Sequence, residues 1–156
     1  AVGRVMKQIE TADFLKQYDI PYLQELSTFG ALNDSFLEHI VKHSEVFQLE
    51  RGEILFTKDQ MPDCFYTLVD GNICLYKGSR LHNVKLQTLQ VGECVGFISM
   101  LCMHAIRGDV VAEEDAIVVK TCNAVFASLP EVDCEQFSIF LINLARNIGR
   151  AYIGDE

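Results

Sequence analysis

Between residues 45 and 122 the apolar residues stop recurring at helical spacing and alternate in short stretches, with glycine closing a stretch about every ten residues. In EVFQLERGEILFTK, Val46 and Leu49 stand on one side of Arg51-Gly52 and Ile54 and Phe56 on the other. CFYTLVDGNICLYKG repeats the device around Asp70-Gly71, the strongest hairpin signal in the chain. VKLQTLQVGE carries Val84, Leu86 and Leu89 up to Gly92, and DVVAEEDAIVVKT supplies a strand, an acidic turn at residues 113–115 and a β-branched strand. Strands this short and this evenly spaced predict a mainly β fold, an antiparallel sandwich or jelly-roll barrel, with the glycine turns closing hairpins.

Helical segments flank the strand run. Thr11 is placed to cap ADFLKQY; Ile20, Leu23, Leu26 and Phe29 follow at intervals of three before Gly30. Asn33 or Asp34 is placed to cap SFLEHIVKHS, whose Phe36, Leu37, Ile40 and Val41 form one apolar stripe. After the strands, Leu129-Pro130-Glu131 is expected to open a long helix with Phe137, Phe140, Leu141, Leu144 and Ile148 on one face. A helix this broadly apolar either packs on the sheets or pairs with its copy in a second chain. With 156 residues and 49% apolar content, the chain suffices for one core. The organisation predicted is a single domain over residues 1–156: a helical cover over 1–44, the jelly roll over 45–122, and a closing helical segment over 123–156.

Charge narrows the partners. A formal net charge of -9 repels nucleic acid and anionic membrane unless a local basic patch opposes it. The densest basic group, Lys77, Arg80, His82 and Lys85, falls where a hairpin tip is expected and reads as a solvated turn. The longest apolar run, over residues 137–144, is broken by Ser138 and Asn143 and is too short for a membrane span. The six cysteines mostly stand inside apolar runs and no secretory leader is read, so reduced thiols in the cytoplasm are expected. The histidines are scattered and no nucleophile elbow, Walker loop or metal-ligand pair accompanies them, which argues against an enzyme and against a resident metal. His39 and His43 do stand four apart on one helix, a spacing that suits either a metal or a solvated face.

Three segments together resemble the cyclic-nucleotide-binding domain of the catabolite-activator and protein-kinase-regulatory type. They are LERGEILFTKDQMPDCFYTLVDGNICLY (residues 49–76), LQTLQVGECVGFISML (86–101) and DVVAEEDAIVV (109–119), with Gly52, Gly71, Gly92 and Gly96 at the corners. The resemblance implies an antiparallel double-stranded β-helix with N-terminal helices, a short cassette helix and a long C-terminal helix. It also implies a ligand cassette over residues 92–109. In the family a glycine lets the backbone approach the cyclic phosphate, and amides at the start of the short helix point at it. A glutamate after that glycine accepts from the ribose hydroxyl, and an arginine about ten residues on neutralises the phosphate.

Carried onto this chain, Gly96 matches the glycine, and Ile98 and Ser99, with Met100, would supply the amides. Phe97 replaces the glutamate. With Ala112 aligned to the small residue of the following strand, the arginine position holds Ile106 and the arginine itself is Arg107, one place late. Neighbours in an extended segment face opposite ways, so Arg107 reaches the ligand only if a bulge, which Gly108 would permit, turns it inward.

The functional expectation is therefore a regulatory, ligand-sensing module whose ligand residues are Gly96, Phe97, Ile98, Ser99, Arg107 and Gly108. Cyclic AMP, cyclic GMP or another small anion would be held weakly, and no other cofactor is expected. Two alternatives stand beside it. One is a ligand-free interaction module that dimerises through its terminal helix. The other is a haem or redox sensor, which some relatives of this fold are, using Cys94, Cys102 or His104.

Overall fold

The computed structural model describes residues 6–78 and 84–154. Arg80 and His82 of the basic cluster lie outside these described residues. The strand run forms two antiparallel sheets. One holds five strands in the order β1 (Lys7–Ile9), β2 (Glu45–Leu49), β9 (Ala116–Cys122), β4 (Cys64–Asp70) and β7 (Cys94–Val95). The other holds β3 (Ile54–Phe56), β8 (Val110–Ala112), β5 (Ile73–Tyr76) and β6 (Lys85–Leu89). The sheets face each other as a jelly-roll sandwich and do not join into a closed barrel.

The turns at Gly52 and Gly71 do not close hairpins. β2 pairs with β1 and β9, whereas β3 pairs with β8; likewise β4 pairs with β7 and β9, whereas β5 pairs with β6 and β8. Arg51-Gly52 and Asp70-Gly71 each carry the chain from one sheet to the other. The turn signal is local, and a corner between sheets uses the same residues as a hairpin. Gly71 is required at its corner: its φ is +102°, and a Cβ built there would stand 2.4 Å from the carbonyl oxygen of Asp115 in the acidic turn. Gly71→Ala is expected to cost about 2–3 kcal/mol through strain and clash. It should lower the urea midpoint of unfolding without changing the slope.

β4 explains the layering. Its CFYTLV run is buried along its whole length because the strand is covered on both faces. Cys64, Tyr66 and Leu68 enter the core between the sheets with Leu49, Phe56, Ile73 and Val118. Phe65 and Val69 enter a second core on the outer face of the five-stranded sheet, beneath the helices.

The helical cover consists of α1 (Thr11–Gln17), α2 (Ile20–Gln24) and α3 (Asp34–His43). Glu10, not Thr11, occupies the cap position of α1 and makes no side-chain cap bond. Asn33 caps α3, its carboxamide oxygen accepting from the Phe36 amide at 2.8 Å, and the predicted stripe Phe36, Leu37, Ile40 and Val41 is wholly buried. The three-residue β1 carries too little alternation to stand out in a segment otherwise read as helical. Past the sheets, α5 (Asn123–Val132) precedes α6 (Cys134–Gly154), and Pro130 lies near the end of α5 where the opening of the long helix was expected. The break falls at Asp133, whose carboxylate accepts from the Gln136 amide at 3.1 Å.

Tyr18 fastens the cover to the β4 corner, donating to Asp70 Oδ2 at 2.7 Å. Desolvation, then the hydrogen bond to Asp70 and its charge, push the phenol up to about 12. A phenol raised in the folded state stabilises fully below its ordinary value of 10.0 and loses that contribution as pH climbs to about 12. Tyr18→Phe should accordingly flatten this part of the alkaline unfolding limb, read as melting temperature against pH.

Candidate functional site

The cassette begins at the corner after β6. Gly92 O accepts from the hydroxyls of Ser27 at 3.1 Å and Thr28 at 2.6 Å and from the Thr28 amide at 3.1 Å, so the helical cover is bonded to the cassette entrance. β7 then leads to Gly96, which caps the five-residue α4 (Phe97–Leu101) in the left-handed region at φ +92°. The aromatic ring of Phe56 lies directly against it: a Cβ on Gly96 would meet that ring at 2.6 Å.

Phe97, in the position of the family's glutamate, points away from the space between the sheets. It is 4% exposed and belongs to the core beneath the helices. Its ring sits edge-on to Phe65 at 5.3 Å and to Phe126 of α5 at 5.2 Å. Phe126 in turn contacts Phe137 and Phe140 of α6 at 5.3 and 6.3 Å. One aromatic chain thus runs from the cassette helix through β4 to both closing helices, and no polar group is needed to hold it.

The return segment alternates where it matters, buried at 106, exposed at 107 and buried again at 108. Ile106 is 5% exposed and packs into the inter-sheet core with Phe56 and Tyr66, whose rings meet edge-on at 5.1 Å. Its backbone is clamped on both sides: the Ile106 amide donates to Gln60 O and its carbonyl accepts from the Asp59 amide, both at 2.8 Å. Arg107 is exposed. Gly108 is buried and bridges to Gly78, and the Asp109 carboxylate accepts from the Lys58 amide at 2.7 Å. Ile98 is exposed and Ser99 half-buried on the outer side of α4. Gly96, Phe97, Ile98 and Ser99 therefore lie together, while Arg107, exposed, and Gly108, buried, sit on the clamped return segment.

A sequence model for the cyclic nucleotide-binding domain matches residues 46–131, more than half of the chain. The chain belongs to the cyclic nucleotide-binding domain family. Solved structures of the same fold include a cyclic nucleotide-binding domain from Methylobacillus flagellatus, with a TM-score of 0.80 at 14% identity over 96% of this chain and 85% of that one. The catabolite activator protein of Thermus thermophilus gives 0.67 at 18% identity over 82% of this chain and 59% of that one. The sensor domain of the transcriptional regulator DNR from Pseudomonas aeruginosa gives 0.62 at 17% identity over 80% and 88%. No curated protein matches the sequence.

In this cyclic nucleotide-binding domain the alternative ligand sets are dispersed. Cys94 is half-buried on β7, whereas Cys102 and His104 are exposed, the His104 ring bonded to its neighbour's carbonyl, Ala105 O, at 2.8 Å. His39 and His43 stack at 4.0 Å, with His43 Nδ1 at 2.8 Å from His39 O. Among the described residues no three His, Cys, Asp or Glu side chains gather to hold a metal ion, and no helix is long and apolar enough to cross a membrane.

The sequence reading missed a polar seam. Asn143 and Asn147 interrupt the apolar face of α6, yet both are buried, at 6% and 4% exposure. Asn143 Nδ2 donates to Thr28 O at 3.1 Å and Gly30 O at 2.8 Å; Asn147 Nδ2 donates to Asn143 O at 2.9 Å, and its Oδ1 accepts from the Cys94 amide at 3.3 Å. The seam ties the closing helix to both the helical cover and the first strand of the cassette. Two asparagines four apart on an otherwise apolar helix face were the available signal.

Proposed function

We propose that the chain is a non-catalytic regulatory module of the cyclic-nucleotide-binding type, in which the state of the cassette reaches the closing helices through packed side chains. Cyclic AMP or cyclic GMP is at best a weak ligand of it. The observation that carries this reading is the alternation at residues 106 and 107: Ile106 is buried between the sheets and Arg107 is exposed. A buried cyclic phosphate left without its guanidinium forfeits about 2–5 kcal/mol, and an unmatched ribose hydroxyl about 1–3 more. At about 1.4 kcal/mol per decade, that turns micromolar binding into roughly millimolar or weaker. The aromatic chain from Phe97 to Phe126 and Phe140, and the seam from Cys94 to Asn147, support the coupling to α5 and α6. The net charge of -9 speaks against direct nucleic-acid contact, and cysteines set in apolar runs suit a reducing cytoplasm.

Thermal melting tests this reading. Ligand at a hundred times its dissociation constant adds about 2.7 kcal/mol of stability. With cyclic AMP or cyclic GMP at about 0.1 mM the midpoint is expected to stay within about 1 °C of the free protein, since a millimolar ligand adds almost nothing there. A shift of several degrees would refute the weak-ligand reading.

A second role, self-association through α6, has its own support. Ile142, Tyr152 and Ile153 are 51%, 73% and 65% exposed on that helix. Sedimentation at two concentrations about thirty-fold apart should reveal a concentration-dependent dimer; a monomer at both would exclude this role.

A further inference from the structure

Cys64 and Cys122 stand directly opposite each other across the β4–β9 ladder. Their position within the ladder is fixed by the neighbouring bond from the Asn123 amide to Asp63 O at 2.8 Å, which makes 63 and 123 a hydrogen-bonded pair. Antiparallel ladders alternate, so Cys64 and Cys122 form a non-hydrogen-bonded pair. Such pairs hold their Cα atoms about 4.5 Å apart with the side chains on one face, within the window of about 4.4–6.8 Å that a disulfide spans. The cores agree on the face: Cys64 belongs to the core between the sheets, and Cys122 packs against that core. Both thiols are free, Cys64 buried and Cys122 half-buried.

We propose that Cys64 and Cys122 are a redox-active pair, a modification site at which a low-molecular-weight disulfide generates an intrachain disulfide. The bond would clamp β9 to β4 where the sheet gives way to α5, because Cys122 is the cap residue of that helix. The more accessible Cys122 thiolate attacks one sulfur of the small disulfide, expels the first thiolate and becomes a mixed disulfide. The Cys64 thiolate then attacks the Cys122 sulfur and expels the second. Two protein thiols lose two electrons and two protons, and the small disulfide is reduced to two thiols. Burial pushes the Cys64 thiol up to about 11, partly offset by the charge of Lys120, so its attack is the slow step and quickens with rising pH.

The test uses the full chain with the two exposed cysteines removed, Cys102→Ser and Cys134→Ser, treated with oxidised glutathione at about pH 8. After alkylation, non-reducing proteolysis and mass spectrometry are expected to find the peptides of Cys64 and Cys122 joined. Cys122→Ser should abolish the joined species, and Cys64→Ala should leave a glutathione adduct on Cys122. The oxidised chain should melt roughly 5–10 °C above the reduced one and revert with reductant. Persistence of the unresolved adduct in the parent chain, a link from either cysteine to Cys74 or Cys94, or no oxidation under conditions that keep the chain folded would each overturn the proposal.

Discussion

Phe97→Glu, which puts back the carboxylate that the family carries after its cassette glycine, is expected to destabilise the chain strongly. Phe97 is 4% exposed, and its ring is held edge-on by Phe65 and Phe126. Emptying an aromatic site of this kind costs about 3–5 kcal/mol. The incoming carboxylate is desolvated in the core between Phe65 and Phe126, so its pKa in the folded chain rises above the unfolded value. A carboxyl raised in the folded state withdraws stability as pH climbs, which makes the loss larger at pH 8 than at pH 5. Folded domains have only about 5–15 kcal/mol to spend, so at neutral pH the variant should be at the edge of unfolding. Urea titrations at the two pH values check this, with Phe97→Leu as the comparison that keeps the site apolar and should lose less than half as much. If Phe97→Glu were as stable as the parent, the side chain at 97 would have to face solvent or a polar ligand space, and the aromatic chain would not be the cassette's link to α5.

The second large effect is expected at Asn143. Its carboxamide satisfies the carbonyls of Thr28 and Gly30, and its own carbonyl receives Asn147. Asn143→Ala leaves two acceptors of the helical cover without their donor, each worth about 1–3 kcal/mol when shielded from water, so a loss of about 2–4 kcal/mol is predicted. Asn143→Leu, which keeps the branch at Cγ and removes the donors, should lose a similar amount. Hydrogen exchange would locate the damage: amides of residues 26–30 should lose protection before those of the central strand β4. A uniform loss across the sheets would mean that Asn143 serves the core generally and not the seam.

Local patterning made much of this readable beforehand. The alternation over residues 45–122 marks the two sheets, and the Phe36 to Val41 stripe with its Asn33 cap marks α3. What alternation does not carry is the partner of each strand. Asp70-Gly71 looks the same whether the following strand folds back or crosses over, and here it crosses, because β5 finds its neighbours in β6 and β8. Gly96 and the short helix after it were legible as a cassette. The direction of Phe97 was not: a phenylalanine satisfies an apolar pocket or an apolar core equally, and only the convergence of Phe65 and Phe126 decides for the core. The positions 106 and 107 were better posed by the sequence, since one step in an extended segment exchanges inside for outside. The seam at Asn143 and Asn147 stayed hidden because its partners are backbone carbonyls and amides far away in the chain, which side-chain patterning does not register.

The central claim is that the cassette has exchanged its charged grip for packing, and calorimetric titration of the chain with cyclic AMP and cyclic GMP tests it most directly. With Ile106 inside and Arg107 outside, heats that do not saturate below about 1 mM are predicted. A saturable one-to-one isotherm at about 1–10 µM, weakened tenfold or more by Arg107→Ala, would contradict it.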